Sequence, residues 1–214
     1  MGPVPTNHVT QLILCRHGES EGNRDRRFGG HGATPLTARG HAQGLAAGRS
    51  LVRAGVDLLY CSDLPRAEET AAAIGRITGL QAIATPELRE RSVGDLTGLT
   101  FQEAQERFPE AYAMLLRREP EACPPGGESV LQCRERAVRF LDRVIAEHAG
   151  ARIAFVSHYV TVYQLILHIL GAKTEGSARV FFQIDNCSLH RFELLQDNVW
   201  KVVGLNDISH LESS

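Results

Sequence analysis

Arg16 and His17 close the apolar run Gln11-Leu12-Ile13-Leu14-Cys15 and are followed by Gly18-Glu19. A hydrophobic strand that ends this way carries a guanidinium and an imidazole to its carboxyl end, the edge at which open α/β sheets bind ligands. The arginine presents a planar fork of donors suited to a phosphate, and the imidazole presents a ring nitrogen that can attack one. Taken alone, the tetrapeptide is equally compatible with a solvated turn.

The chain around it alternates as a doubly wound sheet requires. Strands are expected at Leu12–Cys15, Leu58–Cys61, Gln81–Thr85, Ile153–Val156, Ser188–Leu194 and Trp200–Leu205. Helices are expected at Thr37–Ala54, Ala67–Gly79, Ser129–His148 and Val160–Leu170. Thr37 is a threonine cap ahead of an apolar stripe at Ala42, Leu45, Ala46, Leu51 and Val52. The stretch from Arg91 to Glu128 holds one short helix, about Phe101–Phe108, and a Pro-rich connection. It is too long for a passive loop and reads as a lid.

Composition excludes more than it identifies. The length of 214 residues suits one α/β domain with a small insertion. A formal net charge of -2 argues against nucleic acid or a membrane surface as partner. The most apolar candidate span, Val160 to Leu170, is short and carries Gln164 and His168. The first residues lack the pattern of a secretory leader. Five cysteines (Cys15, Cys61, Cys123, Cys133 and Cys187) are odd in number and lack metal spacing, so reduced thiols in a cytoplasmic protein are expected. No His-x-x-x-His pair occurs among the nine histidines, and no metal is expected. Met1-Gly2 with Thr6 fits a loose myristoylation pattern that Pro3 and Pro5 oppose. Asn186-Cys187-Ser188 fits a glycosylation sequon that a leaderless chain would never present to the machinery. Both read as chance.

Further motifs follow in order. Asn23 comes six residues after His17, then Arg27-Phe28-Gly29-Gly30 and the turn Ala33-Thr34-Pro35-Leu36-Thr37. Downstream are Ser62-Asp63-Leu64-Pro65-Arg66-Ala67-Glu68-Glu69-Thr70-Ala71, Leu88-Arg89-Glu90 with Gly94 and Gly98, Pro125-Gly126-Gly127-Glu128-Ser129, and Phe155-Val156-Ser157-His158. In this order and spacing the chain resembles the histidine phosphatase superfamily, the phosphoglycerate-mutase-like enzymes, from about Gln11 to Asp207. The resemblance implies an α/β three-layer sandwich, a mostly parallel sheet flanked by helices. The domain would span about 10–208 with the lid at about 91–128.

Phosphomonoester hydrolysis needs positioning and charge stabilisation around three equatorial oxygens. The resemblance makes His17 the nucleophile, neutral because neighbouring guanidinium charges disfavour the cation, with its other ring N–H held by the Gly18 carbonyl. Arg16, Arg66 and His158 would grip the phosphoryl group, while Asn23 and the Gly29-Gly30 backbone complete its cradle. A cation at the start of a helix, as Arg66 is, opposes the helix dipole unless an anion is present. Glu90 would protonate the leaving alkoxide and later activate water, with an ion pair to Arg89 or Arg91 as the alternative. Arg91, Arg117, Arg118 and Tyr159 are further substrate-binding candidates, Tyr159 standing where the family often has glycine. Glu128 and Ser129 read as structural caps.

The implied activity is metal-independent and cofactor-free hydrolysis of a small phosphorylated metabolite. A homodimer is left open. A cofactor-dependent phosphoglycerate mutase is the first alternative, but such enzymes carry a tyrosine and a lysine where this chain has Val93 and Phe101. A phospho-ligand sensor is the second, disfavoured because a sensor needs neither His17 nor Glu90. Val93, Phe101, Tyr112, Met114 and Leu115 are expected either to form an apolar rim or to pack as core.

Overall fold

Successive side chains of a strand point to opposite faces, and strand β1 (Thr10–Arg16) shows what that demands here. Its Leu12 and Leu14 enter one core, and its Ile13 and Cys15 another, so both faces of the sheet must be covered. The computed structural model describes residues 9–117, 119–172 and 181–211. After β1 come α1 (Glu21–Arg24), α2 (Ala38–Ala54), β2 (Leu58–Ser62), α3 (Pro65–Thr78), β3 (Ile83–Thr85), α4 (Phe101–Arg107) and α5 (Pro109–Arg117). Then follow α6 (Val130–Glu147), β4 (Arg152–Ser157), α7 (Tyr159–Ile169), β5 (Leu189–Leu194) and β6 (Trp200–Asp207).

The strands form one sheet in the order β3-β2-β4-β1-β5-β6. The first four are mutually parallel, and β5 and β6 close one edge antiparallel. Phe140, Leu141 and Val144 of α6, with Val162, Leu165 and Ile166 of α7, cover one face. Ala47 and Leu51 of α2, with Ala67, Ala71 and Ile74 of α3, cover the other. The fold is a three-layer α/β sandwich.

Parallel register sets the working edge. Arg16 lies opposite Ser157, and the His17 N–H donates to the Ser157 carbonyl at 2.8 Å. The next residues on β1 and β4, His17 and His158, therefore leave the sheet side by side.

Helix α2 is capped by Thr37, whose hydroxyl accepts the Gly40 N–H at 3.1 Å. Its glycines permit two close approaches. A Cβ on Gly44 would lie 2.9 Å from that of Ala73 on α3. A Cβ on Gly40 would lie 2.1 Å from the Glu19 carbonyl oxygen, and one on Gly18 would lie 2.5 Å from the Gly40 oxygen. The first turn of α2 thus presses directly on the turn that carries His17.

Three elements depart from expectation. The third strand is only Ile83–Thr85, paired with Tyr60 to Ser62 of β2, and Gln81 and Ala82 lie outside the ladder. Helix α5 occupies what was expected to be irregular connection, and Pro109 opens it where proline is tolerated. The four-residue α1 is closed by a reciprocal cap between Ser20 and Asn23. The insertion has a small core of its own, with Val93, Leu96, Ala104 and Ala111 buried and Phe28, Tyr112 and Leu115 packed against them. Val93, Tyr112 and Leu115 are therefore core, while Phe101 is 47% exposed.

Intrinsic propensity favours Ala over Gly inside a helix by about 1 kcal/mol, but the clash with a main-chain oxygen outweighs it in Gly40→Ala. The variant should be destabilised by about 1–3 kcal/mol in denaturant unfolding. Equal or greater stability would show that α2 stands clear of the His17 turn.

Candidate active site

His17 is buried, and two contacts set its protonation. Nδ1 lies 2.7 Å from the Gly18 carbonyl oxygen, which can only accept. Nε2 accepts from Arg66 Nε at 3.3 Å. The arrangement requires Nδ1–H and a lone pair on Nε2, the neutral tautomer with its nucleophilic nitrogen toward Arg66. Burial, then the charges of Arg66 and Arg16, hold the pKa well below the ordinary imidazole value. The turn is fastened to α3 by Thr70, whose hydroxyl accepts the Gly18 N–H at 3.0 Å and donates to the Arg66 carbonyl at 2.6 Å. Thr70 lies within the motif that contains Arg66, and the spacing alone did not reveal its link to Gly18.

Arg66 is 2% exposed, and its fork is aimed by main-chain carbonyls. Nη1 donates to Gly32 O at 2.9 Å and Nη2 to Gly30 O at 2.8 Å. The Gly29–Gly32 turn therefore meets the site through Arg66. Gly30 has φ +44°, and a Cβ there would lie 2.8 Å from Val93 Cγ2, so only glycine fits. Arg16 donates from Nη1 to Ile184 O at 2.8 Å and lies over the Tyr159 ring, 5.5 Å from its centroid. Its Nε is buried with no hydrogen-bond partner among the described residues. No carboxylate lies within ion-pairing distance of Arg16 or Arg66 among the described residues. Two such cations withdrawn from water are costly without an anion.

His158 is completely buried, its ring centroid 5.0 Å from that of His17. Burial comes first, then the charge of Arg66, in holding its pKa well below the ordinary value. Nε2 lies 2.8 Å from Ser62 Oγ, whose oxygen also accepts the Leu64 N–H at 3.2 Å. With the serine hydroxyl donating to Nε2, Nδ1 carries the proton. Nδ1 is buried without a partner among the described residues, a donor aimed at nothing within the chain. Ser62 was not singled out from sequence.

Glu90 sits beside the start of α7. Its carboxylate accepts from the Arg91 N–H at 2.8 Å and the Val160 N–H at 3.1 Å. Neither neighbouring arginine pairs with it. Arg89 makes a two-point contact with Asp63 at 2.5 and 2.7 Å. The main chain is tied down by His31 Nε2 at 2.8 Å from Glu90 O, and by Thr161 Oγ1 and Arg136 Nη1 at 2.7 and 3.0 Å from Arg89 O. His31 is a further neighbour that sequence reading missed.

Of the other candidates, Arg91 turns to the insertion. Its guanidinium donates to Glu128 O at 2.9 Å and Ala122 O at 2.7 Å, closing the neck of the insertion. Arg117 pairs with Glu119 at the surface, and Arg118 lies outside the described residues. Tyr159 opens α7 and stacks on Tyr163, bringing a ring to the position. Ser129 caps α6 as expected, while Glu128 accepts from Ser92 N at 3.1 Å and Arg136 Nη2 at 2.5 Å. All five cysteines are free, and among the described residues no three His, Cys, Asp or Glu side chains form a metal-binding group. No helix of the described residues is long and apolar enough to cross a membrane.

Comparison with known proteins agrees with this geometry. Residues 12–208 match the model of the histidine phosphatase superfamily (branch 1). Phosphoglycerate mutase-like protein 4 of Arabidopsis thaliana is 34% identical over 95% of this chain and 88% of its own. A metal-independent phosphoserine phosphatase of the same plant is 32% identical over 97% and 85%. The crystal structure of the alpha-ribazole phosphatase from Shigella flexneri superposes with a TM-score of 0.83 at 29% identity, covering 92% of this chain and 96% of that one. With the family's model matched almost end to end and the two histidines, two arginines and Glu90 gathered at one sheet edge, this chain belongs to the histidine phosphatase superfamily.

Proposed function

We propose that this chain hydrolyses small phosphomonoesters in two displacements through a phosphohistidine at His17, without a metal ion. The observation that carries the reading is a neutral imidazole lone pair flanked by two withdrawn guanidinium groups that lack carboxylate partners among the described residues. Such a site is complete only with an oxyanion. In the first step His17 Nε2 attacks phosphorus while Glu90 gives its proton to the departing alkoxide. In the second, Glu90 takes a proton from water, which displaces phosphate from His17. Arg16, Arg66, Asn23 and the Nδ1–H of His158 hold the equatorial oxygens and supply the positive charge that a metal gives elsewhere. The printed name of the phosphoserine phosphatase relative, metal-independent, supports both the ester class and the absence of a metal.

A mutase must retain a doubly phosphorylated acid while it reorients. Val93 is closed into the insertion core, and Phe101 offers a ring against Phe28 in place of a cation. Both favour release of phosphate to water.

Rapid quench with labelled ester should trap a phosphoenzyme that is stable to base and released by acid, before and after dialysis against a chelator. His17→Ala should abolish both label and turnover. Label persisting in that variant, or turnover that a single metal restores after dialysis, would overturn the reading.

Glu90→Gln should slow esters with alkyl leaving groups by at least about 100-fold, while a nitrophenyl ester, whose leaving group departs with little protonic help, loses far less in its first step. Equal loss of the phosphorylation step on both esters would remove Glu90 as the acid.

Folding depresses the pKa of His17, His158 and His190, the last to about 4 through burial and then the charge of Arg191. The stability each contributes is complete above the unfolded value of about 6.5. It is lost as pH falls below that value, where the unfolded chain binds protons that the folded chain refuses. Denaturant unfolding should show an acid slope of up to about 1.4 kcal/mol per pH unit for each such histidine. His190→Gln should make that slope shallower between pH 6 and 5. Identical slopes would show that folded His190 accepts a proton there.

A further inference from the structure

The segment that reads as a chance sequon wraps the nucleophile. Asn186 Nδ2 donates to the His17 carbonyl at 3.0 Å and to Asn23 Oδ1 at 3.0 Å. The Cys187 N–H donates to the carbonyls of Arg16 at 2.9 Å and His17 at 3.3 Å, from a left-handed conformation (φ 55°) that L-residues seldom adopt. Two residues before Asn186 along the same loop, Ile184 O receives Arg16 Nη1. A single loop therefore touches the Arg16 side chain, the His17 main chain and the Asn23 amide.

The polarity of these contacts is forced. A carbonyl oxygen can only accept, so the end of Asn186 facing His17 must be its NH2. The Ser20 N–H can only donate, and it lies 3.2 Å from Asn23 Oδ1, so that end of Asn23 must be oxygen. Neither amide can flip without setting donor against donor or acceptor against acceptor. Asn23 Oδ1 thus accepts from both Ser20 and Asn186, and Asn23 Nδ2, which makes no hydrogen bond among the described residues, remains for a ligand beside His17.

We propose that Asn186 is a positioning residue of the phosphoryl site: it fixes the His17 main chain and holds Asn23 with its amide NH2 turned toward the bound oxyanion. This rests on the phosphatase reading above. Asn186→Ala removes both contacts. The near-isosteric Asn186→Asp sets a carboxylate against two acceptors, driving Asn23 to flip and present its oxygen to the anion.

Vanadate binding by titration calorimetry and turnover of a nitrophenyl phosphate ester test the idea without knowledge of the natural substrate. N186A should weaken vanadate and lower kcat/KM by about 10-fold, the loss expected when one hydrogen bond to a charged group is lost, and N186D should cost more than N186A. A purely structural role would move the thermal midpoint and leave the vanadate affinity of the folded variants unchanged, and N186D serves as the second variant if N186A fails to fold. In a cycle with N23A, the double variant should lose much less than the product of the single losses, because Asn186 acts through Asn23. Multiplicative losses, or vanadate affinity unchanged in both Asn186 variants, would overturn the proposal while leaving the phosphatase reading intact. A parent protein that neither binds vanadate nor forms the acid-labile phosphoenzyme would overturn the phosphatase reading and this proposal with it.

Discussion

An imidazole can attack phosphorus only while uncharged, and here it must stay uncharged beside the cations that draw the substrate in. These requirements support one another. The guanidinium groups that attract an oxyanion are the same charges that disfavour protonation of His17, and burial acts in the same direction. The Gly18 carbonyl then selects which nitrogen keeps the proton. Nearly every other feature of the working edge keeps this group of charges from relaxing. Carbonyls of Gly30 and Gly32 aim Arg66, Ile184 aims Arg16, and Ser62 orients His158.

The scaffold contributes rigidity through close approach. The register between β1 and β4 brings the two histidines together, and Gly18 and Gly40 let helix α2 bear on the nucleophile's turn from the opposite side. Carbonyl acceptors suit this site because they orient an arginine without neutralising it. A carboxylate in the same place would satisfy the guanidinium and compete with the substrate. Asp63 illustrates the contrast: its bidentate pairing with Arg89 keeps that arginine structural, one residue from the proposed acid.

Much of this was legible in the sequence. The alternation of apolar runs and amphipathic helices carries the three-layer fold, and the ordered motifs place His17, Arg66, Glu90 and His158. What stayed hidden depends on contacts between residues distant in sequence. Ser62, Thr70 and His31 act through hydrogen bonds to distant partners that no local pattern specifies. Arg91 is a further case: next to Glu90 in the chain it offered an ion pair, yet its side chain turns to carbonyls of Ala122 and Glu128. Helix α5 was missed because Pro109 reads as a breaker, although proline is acceptable in a first turn. Asn186 drew no attention beyond a sequon set aside as chance, although its side chain reaches both the His17 carbonyl and the Asn23 amide.

The neck of the insertion has a consequence of another kind. Arg91 grips the carbonyls of Ala122 and Glu128, Ser92 and Glu128 exchange hydrogen bonds, and Gly94 passes so close to Pro125 that a Cβ would lie 1.8 Å from its carbonyl oxygen. The two ends of the insertion are therefore fastened directly to each other. Glu90, just outside the knot, is anchored by α7 and His31 and does not depend on what the enclosed residues are. The arrangement is a cassette: helices α4 and α5 lie wholly between the fastened ends, so a change in their side chains is mechanically separated from Glu90 by the neck.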